Sequence, residues 1–130
     1  GKIDRLEVNK KAKTLDIVDY KTDKTHAKWE KSVKLLKYRQ QLYFYKILIE
    51  GSHTWQDYTV NSARLEFIEP NSNGIIVDPL YINFDKNEEA ELKKLIDCVW
   101  KKVMHLEIPD VSSYTPDYSG CLSFIKNLIG

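Results

Sequence analysis

At 130 residues, 42% of them apolar and 30% charged, the chain has the composition of an ordinary globular protein with one core and excludes an intrinsically disordered one. A net charge of +1 by itself says nothing about nucleic acid, and the distribution of the charge says more. Two cysteines, Cys98 and Cys121, without CxxC spacing, exclude a disulfide framework, and no apolar run approaches the roughly 20 residues that span a bilayer.

In chain order, the first elements are two short strand-like runs, Gly1 to Arg5 and Asp16 to Thr22, with Asn9 to Lys13 between them as a hairpin turn. Pairing in which partner numbers sum to 23 sets Asp4 opposite Asp19. Cross-strand partners share a face, and so do residues two apart along a strand, so Lys21 joins the two acids on one patch. Asp19 follows Ile17 and Val18 in a run that reads as buried, where a carboxylate is costly without a partner or a metal. Asp16 falls on the opposite face and reads as a surface residue. Two carboxylates and an ammonium on one patch are the groups that metal-assisted phosphodiester hydrolysis uses.

The stretch from Asp23 to Glu30 is polar and reads as a loop. Between residues 21 and 46, Lys21, Lys24, Lys28, Lys31, Lys34, Lys37, Arg39 and Lys46 are opposed only by Asp23 and Glu30. Basic charge placed directly after the acidic patch suits a phosphate backbone, and a solvated helix face is the alternative. From Ser32 to Glu50, Leu35, Tyr38, Leu42, Tyr45 and Ile49 recur at spacings of three and four, which predicts an amphipathic helix closed by Gly51 as its C-cap. Gln41 and Tyr45, four apart, share one side of it.

A second pair of strands is predicted at Tyr58 to Ile68 and Ile75 to Phe84, joined by the turn-rich Glu69 to Gly74. Pro79 makes the latter an edge strand or a bulged one. Asp85 with Glu88 predicts a capping box, and Leu92, Leu95, Ile96, Val99, Val103 and Leu106 predict a helix ending before Pro109. After a turn-like stretch to Tyr118, Cys121, Leu122, Phe124, Ile125, Leu128 and Ile129 predict a short docking helix. The order strand, strand, helix, strand, strand, helix predicts an α/β fold in one domain over residues 1–130, with helices covering a small sheet. His26, His53 and His105 lack ligand spacing and read as surface or structural residues. Trp29 and Trp55 read as packing or loop anchors, with stacking on bases as the alternative.

Three motifs, Gly1-x-Ile3-Asp4-Arg5, Val18-Asp19-Tyr20-Lys21-Thr22 and Gln41-Leu42-x-x-Tyr45, resemble in order and separation the core motifs of the RecB-like branch of the PD-(D/E)XK nuclease superfamily. The resemblance implies a restriction-endonuclease-like mixed sheet of about four strands flanked by two or three helices. It also implies a DNA nuclease dependent on Mg2+ or Mn2+, acting in repair or recombination and attached to a helicase or another N-terminal domain of the same polypeptide. Asp4 and Asp19 would bind the metal with the Tyr20 carbonyl, and Lys21 would orient or help deprotonate the attacking water. Gln41 and Tyr45 would sit beside the lysine, and Lys24, Lys28, Lys31 and Arg39 would meet DNA. The family's upstream helix, often bearing a metal-binding His or Glu, and its first strand would precede Gly1, so the chain reads as a C-terminal fragment. An iron–sulfur cluster, which some relatives hold through four cysteines, is not expected with two. A cytoplasmic location with no membrane partner is expected from the cysteines and the lack of a signal pattern. A non-catalytic DNA-binding or protein-docking module on the same scaffold is the competing reading.

Overall fold

A computed structural model of the chain describes residues 3–22, 28–68, 78–105 and 110–130. Four strands, β1 (Arg5–Asn9), β2 (Thr14–Lys21), β3 (Thr59–Phe67) and β4 (Leu80–Ile82), form one sheet in chain order, accompanied by helices α1 (Val33–Glu50), α2 (Lys86–Met104) and α3 (Tyr118–Ile129). The sheet is mixed, with β2 and β3 parallel and the two outer pairs antiparallel. A mixed four-stranded sheet with three helices is the α/β architecture expected of the sequence. No described helix is long and apolar enough to cross a membrane. The elements divide into two compact units, Gly1–Glu30 with Gln41–Phe84, and Lys31–Gln40 with Asp85–Gly130.

In the first unit, β1 and β2 pair with partner numbers summing to 23, from Arg5 opposite Val18 to Asn9 opposite Thr14. The strand itself begins at Arg5, so Ile3 and Asp4 precede it, a correction to the strand expected at residues 1–5. The four-residue turn is compact enough to extend the ladder to Asn9, because the Asn9 side chain accepts from the Ala12 amide at 3.0 Å and Lys13 takes a left-handed φ of 56°. The parallel pairing of β2 with β3 requires a crossover, which the segment containing α1 supplies. Leu15, Ile17, Val18 and Leu65 are fully buried along this central pair, as a strand pair inside a core should be.

The β2–β3 register shifts by one residue, Leu15 opposite Val60 and Asp16 opposite Ser62, so Asn61 is an extra residue in β3. Asp16 accepts from Ser62 Oγ at 2.9 Å and from Asn61 Nδ2 at 3.4 Å, which ties the irregular step together. The shift lets Val60 share the buried face with Ala63, Leu65 and Phe67 despite the odd spacing, and it sets Leu65 opposite Asp19. Within the segment expected as a strand from Ile75 to Phe84, β4 is the three-residue edge of the sheet directly after Pro79; residues 75–77 and the turn at 69–74 lie outside the described residues. The Trp29 indole N–H donates to the Tyr81 carbonyl at 2.8 Å, an anchor on that edge rather than a free stacking surface. Trp55 packs edge-to-face on Tyr58.

From α1 this unit takes Gln41 to Glu50, where Leu42, Tyr43, Tyr45 and Ile49 are all buried. Tyr43 lies off the expected stripe and is buried because its ring meets Phe84 edge-to-face. The helix stops at Glu50, yet Gly51 does not take a left-handed conformation; Ser52 closes the end instead, with its amide and its hydroxyl both bonded to the Ile49 carbonyl.

In the second unit, Asp85 caps α2 by accepting from the Asn87 and Glu88 amides at 2.8 and 3.0 Å. The capping box expected from Glu88 does not close, because its carboxylate is taken by Arg39 in a bidentate pair with both distances at 2.7 Å. His105 ends the helix, its ring nitrogen 3.0 Å from the Lys101 carbonyl. Asp117 caps α3, and Gly120 is required there because a Cβ would stand 1.8 Å from the Thr115 carbonyl oxygen. Tyr114 packs edge-to-face on Phe124 and accepts from Asn127, which fastens the preceding turn to α3, and the Cys98 thiol meets the Leu128 carbonyl at 3.2 Å. Replacing the α2 cap, Asp85→Ala, is expected to cost about 1 kcal/mol in urea denaturation, the usual loss for an N-cap carboxylate. An unchanged midpoint would show that the rest of the unit holds the first turn without it.

Candidate active site

The β1–β2 register, continued one step beyond the ladder, brings Asp4 to the side of Asp19. Asp4 is exposed, and its Oδ2 accepts from the Tyr20 amide at 2.9 Å, in place of a backbone partner at the start of β1. Tyr20 lies past the last residue paired with β1, so its carbonyl is outside that ladder as well.

Asp19 is the one buried charged side chain among the described residues, at 4% exposure. Its Oδ2 lies 3.0 Å from the Lys21 ammonium, an ionic contact, while accepting no aligned hydrogen bond although it is shielded from water. Burial first, then the neighbouring Asp4 carboxyl, pushes the Asp19 carboxyl above the usual range; Lys21 opposes both. A buried carboxylate oxygen with unused lone pairs, next to a second carboxylate, is a site that favours a cation.

Lys21 in turn donates to Gln41 Oε1 at 3.1 Å, and Gln41 Nε2 donates to the Tyr45 hydroxyl at 2.9 Å. The expected patch and the expected helix side therefore form one chain, Asp19, Lys21, Gln41, Tyr45, with α1 presenting its two members one turn apart. Burial, followed by the charge on Asp19, holds the Tyr45 phenol above its ordinary value, so the hydroxyl is a neutral donor or acceptor here.

Of the residues expected to meet DNA, Lys28 and Lys31 are exposed, Lys24 falls outside the described residues, and Arg39 spends both arms of its guanidinium on Glu88. No local signal reveals that engagement, since the partner lies 49 residues further along.

A divalent cation fits the donor set. Asp4 and Asp19 would supply two carboxylates and Tyr20 a carbonyl outside the ladder with β1, with Asp19 Oδ2 buried and in ionic contact with Lys21. Among the described residues no cluster of three or more His, Cys, Asp or Glu surrounds the spot. A hard divalent cation can complete such a donor set with water and phosphate oxygens rather than with an all-protein cage.

Comparison with known proteins agrees with the motifs. The family model of the PD-(D/E)XK nuclease superfamily matches residues 1–121. No curated protein and no solved structure matches the chain.

Proposed function

The chain belongs to the PD-(D/E)XK nuclease superfamily, and from that premise we propose that it is a metal-dependent deoxyribonuclease domain of the RecB-like branch, working beside a helicase in DNA repair or recombination. The observation that carries the reading is the buried Asp19 carboxylate held 3.0 Å from Lys21 and adjacent to Asp4. Motif order along the chain supports the RecB-like assignment and, through it, the helicase context.

In this reading Asp4, Asp19 and the Tyr20 carbonyl hold Mg2+ or Mn2+. The ion supplies charge that polarises the phosphodiester and makes water a better nucleophile. Lys21 supplies the second positive charge, placed to orient the attacking water and to meet the negative charge that grows on the phosphate oxygens. Gln41, accepting from the lysine and donating to Tyr45, fixes the direction of the ammonium. Lys28 and Lys31, which are exposed, would meet the DNA backbone together with Lys24 and Arg39.

The test is cleavage of linear single- and double-stranded DNA by the full chain with added Mg2+ or Mn2+. Products should accumulate with either ion and cease with excess chelator. DNA binding without metal binding, measured by calorimetry, would instead mark a non-catalytic module on the same scaffold.

A further inference from the structure

The sheet has a second face that the candidate site does not use. By strand parity Arg5 and Glu7 of β1, Asp16, Val18 and Tyr20 of β2, and Ser62, Arg64 and Glu66 of β3 lie opposite to Asp19 and Lys21. Four of these side chains form one connected network. The Arg5 guanidinium lies 3.3 Å from Glu7. Glu7 accepts from Arg64 Nη1 at 2.5 Å, and Arg64 Nε donates to Glu66 at 2.7 Å.

The Arg64–Glu7 pair joins strands that are not neighbours. In the register Arg64, Val18 and Arg5 stand in line across the sheet, so the guanidinium reaches over β2, whose Val18 is fully buried, to a residue of β1. The span is two strand spacings, roughly 10 Å, which an extended arginine covers. Isolated surface pairs contribute little, but this guanidinium is only 15% exposed and is gripped by two carboxylates, the situation in which charge pairs do hold geometry.

Among the described residues β1 is paired with a strand on one edge, over five residues, and Asp4 is the residue immediately before it. Any fraying at Arg5 carries Asp4 away from Asp19. We propose that Glu7 and Arg64 are positioning residues that clamp β1 to β3 across the back of the sheet and thereby keep the Asp4 carboxylate beside Asp19. The consequence for metal binding rests on the proposed nuclease reading, whereas the clamp itself does not.

The Tyr20 amide, which donates to Asp4, reports the placement of Asp4 directly and without metal. Its hydrogen exchange in the full chain, followed by NMR, is expected to quicken roughly 10-fold in Glu7→Gln, while the Leu65 and Leu42 amides of the core keep their parental protection. Glu66→Gln removes a carboxylate from the same guanidinium without touching β1 and should leave Tyr20 at the parental rate. Parental exchange at Tyr20 in Glu7→Gln, or equal acceleration in Glu66→Gln, overturns the clamp. Titration with Mn2+ then tests the link to the site: Glu7→Gln should bind about 10-fold more weakly, with no further loss when added to Asp4→Asn. Faster exchange at Tyr20 with parental Mn2+ affinity overturns that link. A parent chain that binds no Mn2+ counts against the nuclease reading, and the exchange rates still decide the clamp.

Discussion

Asp19→Asn is expected to lower metal-dependent DNA cleavage by on the order of 10³-fold or more, because losing one anionic ligand removes several kcal/mol of metal-borne charge stabilisation. In the metal-free fold the same substitution relieves the burial of a carboxylate but also removes the partner of Lys21, so stability near neutral pH is expected to change by no more than about 1 kcal/mol. The pH dependence gives the sign. Burial and Asp4 raise the Asp19 pKa in the folded chain, so the folded state binds this proton more tightly than the unfolded one. The contribution of Asp19 to stability therefore falls as pH rises from the ordinary carboxylate range through the raised value, and stays at its lower level above it. Asparagine, which does not titrate, abolishes that slope. Thermal denaturation of parent and variant between acidic and neutral pH, without metal, reads the difference, and added Mg2+ should raise the parent's midpoint more than the variant's. Retained cleavage in Asp19→Asn would sink the assignment of the site, whatever the stability result.

The meeting of Asp4, Asp19 and Lys21 was legible in the sequence because strand parity is a local rule. Once the turn after Asn9 fixes the register, every cross-strand neighbour follows. Gln41 and Tyr45 were legible for the same reason, since a helix repeats every 3.6 residues. The features that escaped depend on partners far along the chain. Glu88 has the spacing of a capping box but pairs with Arg39, a partner 49 residues away that no local pattern announces. The extra residue at Asn61 has no composition signal; it appears only when β3 is laid against β2 and Val60 must share a face with Ala63. Glu7 and Arg64 look like two ordinary surface charges until the sheet sets them on either side of Val18. The expected first strand was misplaced because Asp4 behaves like a strand residue in its pairing while its side chain, rather than its backbone, makes the bond to Tyr20.

Lys21→Met should be nearly as damaging to activity as the loss of Asp19, and it separates the proposed catalytic role of the ammonium from its place in the ion pair with Asp19. In the proposed role of a cation facing the phosphate, Lys21 would act on charge that develops only in the transition state, so its removal is expected to lower kcat by roughly 10²- to 10³-fold with little change in KM. As the partner of Asp19 at 3.0 Å, it also offsets a buried negative charge. Breaking a buried pair from one side costs about 3 to 5 kcal/mol, and the lower end applies here because Lys21 remains 15% exposed. Deprived of the lysine, Asp19 meets its burial penalty either by taking up a proton or by binding a cation, so the destabilisation should be smaller at acidic pH and smaller in Mg2+. Single-turnover cleavage together with denaturation at two pH values, each with and without Mg2+, distinguishes the roles. A variant that cleaves within about tenfold of the parent would remove Lys21 from the chemistry, and one whose stability ignores both pH and Mg2+ would show that Asp19 does not depend on it.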